Sequence, residues 1–211
     1  LGAVLSSFHN ERPILFRNVK GSRIPVVGAL YGNRSIILDL LGTSTEKRLF
    51  KLMEAMGSPS KPKLLDRGPV QENVVTSGID LLKMLPVPTS NERDAAPYFC
   101  AGAFVVRDTE TGRTQMAVRR IQVLGGNRLY ILVSGASPHL LGELRRCAER
   151  GKALECAVVL GYDAPFLLAS QIGSGKYGLD KYEVDSTLRG EPLELVRCRS
   201  IDLEVPAWSE I

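Results

Sequence analysis

The chain has 211 residues, 44% hydrophobic and 24% charged, which are ordinary values for a globular protein that buries its own core. Its 27 basic and 23 acidic residues leave a net charge of +4, and they are scattered, which favours small anionic ligands and argues against nucleic acid. No apolar stretch approaches the roughly 18 to 20 residues that span a bilayer, so the sequence predicts a soluble, cytoplasmic protein with no membrane partner.

The first third of the chain mixes predicted strands and helices. Two β-branched runs separated by the turn Lys20-Gly21-Ser22 predict strands, and two segments with apolar residues at i, i+3 and i+4 predict helices. Ser44 or Thr45 is the expected N-cap of the second helix, and Gly57 its end. In order, the segments are strands 14–19 and 24–30, helices 35–41 and 46–56, and a linker 58–68 rich in Pro, Lys and Gly.

The rest of the chain begins with a proline-rich stretch, residues 85–98, which is predicted as an ordered loop. Three β-rich segments follow, joined by hairpin-length connections, and they predict an antiparallel meander. The remaining predicted elements alternate between helix and strand, so the class is α+β, with helices on a mostly antiparallel sheet. The predicted elements are strands 101–107, 114–124 and 128–134, helix 138–150, strand 155–160, helices 164–172 and 179–189, and strand 193–199.

The loop 173–178 reads G-S-G-K-Y-G and matches the pattern G-x-G-x-x-G. A dinucleotide fingerprint needs a strand before it, whereas a helix is predicted there, and a phosphate-binding P-loop needs Ser or Thr where Tyr177 stands. Two interpretations stay open. The backbone N–H groups of the loop form an anion cradle with Lys176, or the loop merely connects two helices.

Two neighbouring arginines, Arg119 and Arg120, lie in the middle strand of the predicted meander. The pleat sends adjacent side chains to opposite faces, so one of them points inward or into a cleft unless both reach solvent at a sheet edge. A buried guanidinium requires a carboxylate or phosphate partner. The pair therefore predicts one functional arginine.

The two histidines and four cysteines show no metal-binding spacing. His139 lies at the start of a predicted helix, where an imidazole can meet an anion or a metal, and His9 is interpreted as a surface residue. The cysteines are predicted to be buried and reduced; they are Cys100, Cys147, Cys156 and Cys198.

Several segments, in this order, resemble the UbiD family of decarboxylases, which use prenylated flavin mononucleotide (FMN). The resemblance covers nearly the whole chain. The segments are PILFRNVKG at 13–21, LPVP at 85–88, NERDAAPY at 91–98, RIQVLGGNRL at 120–129, LRGEPLELV at 188–196 and DLEVPA at 202–207.

The resemblance implies a domain organisation. A flavin-binding domain on a split β-barrel of flavin-reductase type, with flanking helices, is expected over residues 85–211, after a small α/β region over residues 1–84. In the family a carboxyl-terminal domain follows and makes dimer contacts, so that domain and two catalytic glutamates are expected beyond Ile211. The implied partners are a second copy or another subunit, and a flavin prenyltransferase that supplies the cofactor.

The activity that the resemblance implies is reversible, non-oxidative decarboxylation of an aromatic or α,β-unsaturated carboxylic acid, with prenylated FMN (or FMN) as the cofactor and electron sink. Arg120, taken as the inward arginine, matches the catalytic arginine that orients the carboxylate. The implied cofactor-binding residues are Gln115, Met116, Ala117, Val118, Arg119, Arg120, His139, Gly173, Lys176 and Lys181.

The family binds the cofactor phosphate through a divalent metal such as manganese, with Asn, His and Glu as ligands. Gln115 stands at the Asn position, His139 is the candidate His, and Lys181 occupies the Glu position. An ammonium cannot ligate a metal, but it can pair with phosphate. Three outcomes are open: Lys181, helped by Lys176 and the loop amides, replaces the metal; the site has decayed; or Lys181 faces solvent.

Two further functions stay open at this stage. The changes at Gln115 and Lys181 favour a noncatalytic UbiD-like subunit that stabilises a multisubunit carboxylase. A plain FMN-binding protein of the reductase type is the third interpretation.

Overall fold

The computed structural model describes residues 1–133, 135, 137–173 and 178–211. Its helices are α1 (Gly2–Ser7), α2 (Arg34–Leu40), α3 (Arg48–Gly57), α4 (Leu81–Met84), α5 (Pro138–Glu149), α6 (Ala164–Gln171) and α7 (Lys181–Arg189). Its strands are β1 (Ile14–Phe16), β2 (Val26–Gly28), β3 (Lys63–Leu64), β4 (Tyr98–Arg107), β5 (Thr114–Gly125), β6 (Arg128–Ile131), β7 (Ala157–Val159), β8 (Glu194–Arg197) and β9 (Glu204–Pro206). Within these ranges, no helix combines the length and the apolar character needed to cross a membrane.

The described strands form three sheets. Strands β1 and β2 make an antiparallel hairpin, β3-β8-β9 a mixed sheet, and β6-β5-β4-β7 a four-stranded sheet that contains the predicted meander. The α+β class is therefore confirmed. These strands do not close into a barrel, and the split-barrel arrangement stays a prediction.

The chain folds into two compact units, each made of three segments. The first unit comprises Leu1–Ser44, Val75–Cys100 and Arg120–Ile131, and the second comprises Thr45–Val74, Ala101–Arg119 and Leu132–Ile211. Strands β4 and β5 each contribute residues to both units.

In the first unit, local sequence signals produce the expected turns. Val19 and Ser22 form a β-bridge around the turn predicted at Lys20-Gly21-Ser22, and Gly21 has a φ of 80°, which favours glycine. The proline-rich stretch forms neither helix nor strand over residues 85–97, as predicted, and the N–H of Tyr98 donates to the carbonyl of Pro88 at 3.1 Å. Helix α2 begins after Asn33, whose side chain accepts from the N–H of Ser35.

In the second unit, α6 and α7 pack against each other around buried aromatic and aliphatic side chains. Phe166 and Tyr182 are almost fully buried, with ring centroids 6.4 Å apart. Each such side chain contributes roughly 1.5 to 3 kcal/mol on burial. Helix α7 starts after Asp180, which accepts from the N–H of Tyr182 at 2.9 Å, and ends at Gly190, which has a φ of 83°. These caps fix where α7 starts and therefore where Lys181 lies.

Several predictions about local structure are wrong. Lys47, not Ser44 or Thr45, precedes α3, and its side chain makes no capping hydrogen bond. The predicted linker 58–68 contains strand β3, which pairs in parallel with β8. Strand β9, which pairs with β8, was not predicted. Strand β3 depends on pairing with a segment far along the chain, and β9, which pairs with the strand just before it, has only three residues, too few to show a strand pattern.

The prediction of four buried thiols is also wrong. All four cysteines are free, but only Cys147 is buried, Cys198 is half-buried, and Cys100 and Cys156 are exposed.

Candidate functional site

A cavity of about 190 Å³ lies in the second unit, where strands β4 and β5 meet the first residues of α5 and α7. Of the described residues, no acidic one lines it. The lining consists of Phe104, Val106, Gln115, Met116, Ala117, Arg119, Ser137, Pro138, His139, Leu140 and Lys181. The cavity therefore brings together six of the predicted cofactor-binding residues.

Strand β5 decides which of the two arginines enters the cavity. Ile121 and Val123 are buried, and strand alternation places Arg119 on the same face as these two residues. Arg119 is half-buried and lines the cavity, whereas Arg120 is exposed. The prediction that one of the two arginines points inward is confirmed, but taking Arg120 as that residue was wrong.

The guanidinium of Arg119 is incompletely bonded. Its Nε is buried and has no hydrogen-bond partner among the described residues. A buried N–H group without an acceptor is unfavourable, because the group has lost its bonds to water. Arg119 is thus a donor available to a ligand in the cavity.

Lys181 is the first residue of α7 and is 6% exposed. Its Nζ donates to the carbonyl oxygens of Met116 at 2.6 Å and Ser170 at 2.8 Å. Burial, together with the positive charge of Arg119, lowers the pKa of Lys181 to about 8. The interpretation that Lys181 faces solvent is therefore wrong.

His139 lies in the first turn of α5, after Pro138, where a proline fits the start of a helix. Its Nε2 is 3.4 Å from Oδ2 of Asp108, although the geometry does not meet hydrogen-bond criteria. The other oxygen of Asp108, Oδ1, accepts from the N–H groups of Glu110 at 2.9 Å and Thr111 at 2.8 Å. Asp108 therefore both closes the β4–β5 turn and faces the imidazole.

The surroundings of Asp108 favour its charged form. Burial by itself would raise the pKa of Asp108, but the two backbone N–H donors and His139 together lower it. Sequence reasoning missed this residue. The available signal was an Asp at the start of a turn whose next residues are Thr, Glu, Thr and Gly, a typical position for a side chain that caps its own turn.

Glu143, one helical turn after His139, is fully buried. Its Oε2 accepts from the backbone N–H of Thr109 at 3.1 Å and from the Thr109 hydroxyl at 2.8 Å, and its Oε1 accepts from Arg146. One ligand atom each from Asp108, His139 and Glu143 lie within 4.8 Å of one another. Because both oxygens of Glu143 already have donors, this cluster fastens α5 to the β4–β5 turn.

The three residues predicted at the metal positions do not fit a divalent ion. Gln115 is buried, and its Nε2 donates to the carbonyl of Leu179 at 3.5 Å. His139 offers an imidazole, but Lys181 offers an ammonium whose N–H groups are directed at two carbonyls. An ammonium has no lone pair for a metal, and its charge repels one.

Four other predicted residues lie elsewhere. Val118 is half-buried and outside the cavity lining, and Gly173 is exposed. Arg120 belongs to the first unit, and Lys176 lies outside the described residues. The predicted roles of these four residues stay predictions.

Two family descriptions match the chain. Residues 63–211 match the Rift-related domain of 3-octaprenyl-4-hydroxybenzoate carboxy-lyase (UbiD), and residues 2–56 match the amino-terminal domain of the same enzyme.

Among curated proteins, the anhydromevalonate phosphate decarboxylase of Methanothermobacter thermautotrophicus is 32% identical over 94% of this chain and 45% of its own length. The corresponding enzyme of Methanosarcina mazei is 35% identical over 92% of this chain and 43% of its own length. The chain thus spans less than half the length of these relatives.

Solved structures of UbiD-class enzymes also resemble this chain. The UbiD-class enzyme HmfF from Pelotomaculum thermopropionicum, in complex with FMN, matches with a TM-score of 0.91 and 37% identity over 98% of this chain and 46% of that one. An evolved dimeric form of HmfF with prenylated FMN has a TM-score of 0.92 and 36% identity over 98% of this chain and 48% of that one. The closed form of vanillic acid decarboxylase from Sedimentibacter hydroxybenzoicus has a TM-score of 0.88 and 26% identity over 99% of this chain and 46% of that one.

Proposed function

The chain belongs to the UbiD family of carboxy-lyases, and we propose that it is the flavin-binding part of a decarboxylase of that family. The proposed reaction is the reversible removal of carbon dioxide from an aromatic or α,β-unsaturated carboxylic acid. One observation carries the proposal: six predicted cofactor-binding residues, including Arg119, His139 and Lys181, line a single cavity that contains no acidic side chain among its described lining.

The relatives support the choice of cofactor. HmfF has been solved with prenylated FMN and with FMN, and the curated relatives are named as decarboxylases. The cavity of this chain suits such a ligand, because the free donor on Arg119 and the charge of Lys181 favour an anionic group such as the phosphate of a flavin nucleotide. Prenylated FMN, when bound, supplies an electron sink for decarboxylation.

The residues of this chain take different parts in the proposed reaction. Arg119 and Lys181 bind the anionic end of the cofactor, and His139, held beside Asp108, lines the same cavity. Arg120, exposed on β5, orients the substrate carboxylate through charge-assisted hydrogen bonds. The catalytic glutamates come from outside residues 1–211, and residues 85–211 form the flavin-binding domain on a split barrel. The whole enzyme works as an oligomer or with a partner subunit.

A second candidate is a noncatalytic UbiD-like subunit of a multisubunit carboxylase. The observation that favours it is the ammonium of Lys181 at a position where the resemblance implies an acidic metal ligand. In this alternative the chain stabilises a partner and performs no chemistry of its own.

The test is to express the complete gene with and without a flavin prenyltransferase and to purify the protein. Stoichiometric bound flavin, identified by absorbance and by mass spectrometry after release, together with carbon dioxide release from a panel of unsaturated and aromatic acids, is the expected result. Bound flavin without turnover would favour the accessory subunit. Protein without any flavin would contradict the proposal.

A further inference from the structure

The cavity contains buried positive charge that the described part of the chain does not neutralise. Lys181 is 6% exposed, and its Nζ donates only to the neutral carbonyls of Met116 and Ser170. Arg119 forms no ion pair with any described carboxylate, and its buried Nε has no acceptor there. The burial of two like charges near each other is unfavourable unless an anion joins them.

The acidic residues on the elements around the cavity are bonded to other groups, and Asp180, next to Lys181, accepts from the N–H groups of Thr114 and Tyr182. Asp108 bonds to the N–H groups of its own turn and faces His139. Glu143 is fully bonded by Thr109 and Arg146. Neither residue lines the cavity, so its described lining offers no negative charge to Arg119 and Lys181.

We infer that this cavity binds a phosphate monoester directly through Arg119 and Lys181, without a bridging divalent metal. The inference rests on the proposed function, because the phosphate is that of the flavin nucleotide. A phosphate monoester carries about −1.5 to −2 charges at pH 7, which matches one guanidinium and one ammonium. A bound anion beside the amine would raise the pKa of Lys181 from about 8 back toward its ordinary value.

The chemistry of the two side chains explains why a metal is unnecessary. A guanidinium binds phosphate oxygens through fixed, parallel N–H donors, and an ammonium acts as a compact point charge. Together they present to the phosphate the positive charge that a divalent ion otherwise supplies. A metal at the same place would meet two cations and no described acidic ligand in the cavity lining.

The experiment compares FMN with riboflavin, which lacks only the phosphate. The protein from the complete gene is treated with a chelator, and flavin binding is measured by fluorescence titration. We expect FMN to bind about 10- to 100-fold more tightly than riboflavin and its affinity to be unchanged by chelation or by added manganese. Arg119→Gln should reduce the affinity for FMN about tenfold or more and leave the affinity for riboflavin unchanged.

Two further variants complete the design. Lys181→Met should also weaken FMN selectively, but Lys181 connects β5 to α6, so its thermal unfolding must be measured beside the titration. If Lys181→Met does not fold, the flavin titrations of Arg119→Gln alone test the direct phosphate site. Arg145→Gln is the matched control, because Arg145 is exposed on α5 and outside the cavity lining; it should bind FMN as the unaltered protein does.

Each result separates the direct phosphate site from the proposed function. Equal affinity for FMN and riboflavin, loss of FMN binding on chelation with recovery on adding manganese, or unaltered FMN affinity in Arg119→Gln would overturn the metal-free site while flavin binding stands. Binding of neither flavin would contradict the proposed function and the phosphate site together.

Discussion

Helix α7 buries two charged residues one turn apart, and their surroundings differ. The carboxylate of Asp185 accepts from Nε of Arg189 at 3.1 Å, and Arg189 also bonds to Asp163 at the start of α6. Lys181, by contrast, donates only to uncharged carbonyl groups. Arg189 therefore offsets part of the cost of burying the Asp185 carboxylate, whereas the described part of the chain offers no anion to Lys181.

The Asp163–Arg189–Asp185 group also supports the start of α6. Asp163 is the N-cap of α6 and accepts from the N–H of Phe166 at 3.3 Å. Arg189 therefore links a helix cap to a buried carboxylate on the neighbouring helix. This end of the helix pair performs a structural task, although Oδ2 of Asp185 has no hydrogen-bond partner among the described residues.

The largest effect on stability should follow from removing the guanidinium of Arg189. Arg189→Ala leaves Asp185 buried without a cation, and at about pH 8, where Asp185 of the unaltered protein is ionised, we expect the free energy of unfolding to fall by about 3 to 5 kcal/mol. Urea denaturation measures the change. Arg145→Ala, at an exposed position of α5, is the control and should change stability by less than about 0.5 kcal/mol. A loss below about 1 kcal/mol in Arg189→Ala would mean that the pair resembles a surface ion pair.

The pH dependence of stability tests Asp185, the buried carboxyl that pairs with Arg189. Burial raises the pKa of Asp185 from 3.8 to about 7, although Arg189 opposes the shift. A carboxyl whose pKa is raised on folding contributes stability that is fully present below about pH 4 and is lost as the pH rises through about 7.

At roughly 1.4 kcal/mol per unit of pKa shift, the unaltered protein should lose about 2 to 4 kcal/mol relative to Asp185→Asn between pH 4 and pH 8. Denaturation curves of both proteins across this range provide the measurement. Parallel pH profiles would show that Asp185 does not titrate in that window.

A smaller effect on stability should appear when an anion binds to Arg119 and Lys181. Inorganic phosphate at ten times its Kd should raise the free energy of unfolding by about 1.4 kcal/mol, and Arg119→Gln should abolish the gain. Potassium chloride at the same ionic strength controls for screening. Equal stabilisation of both proteins by phosphate would assign the effect to another site.

The smallest change in stability is expected at the neighbouring arginine. Arg120 is exposed, so Arg120→Gln should alter the free energy of unfolding by less than about 0.5 kcal/mol and leave FMN affinity unchanged. Under the proposed function, the same variant should nevertheless lose carbon dioxide release. Retained turnover would remove Arg120 from the catalytic role, and weakened FMN binding would place it with Arg119 in the phosphate site.

Much of the fold could be read from local patterns. Local sequence patterns predicted α2, α5, α6 and α7 to within a few residues, and glycines such as Gly151 and Gly190, both with positive φ, stand where helices end. Strands β3 and β9 could not be predicted, since each has only two or three residues and exists through pairing with β8. The partner of β3 lies far along the chain, with Lys63 opposite Glu194, whereas β9 follows β8 closely but is too short to show an alternating pattern of its own.

The candidate site, like the fold, could be predicted from the sequence only in part. Strand alternation predicted that one arginine of the pair points inward, and the register set by Ile121 and Val123 could have selected Arg119. The resemblance drew attention to Gln115, His139 and Lys181, which share one cavity.

The sequence by itself determined the residue types, several turns and helix ends, and the reversal of charge at Lys181. Only the tertiary structure decided that Lys181 is buried beside Arg119, with its Nζ on two backbone carbonyls and no described carboxylate in reach. The reason is that burial and charge balance depend on groups far apart in the chain: residues 116, 119, 170 and 181 meet only after β5, α6 and α7 have packed.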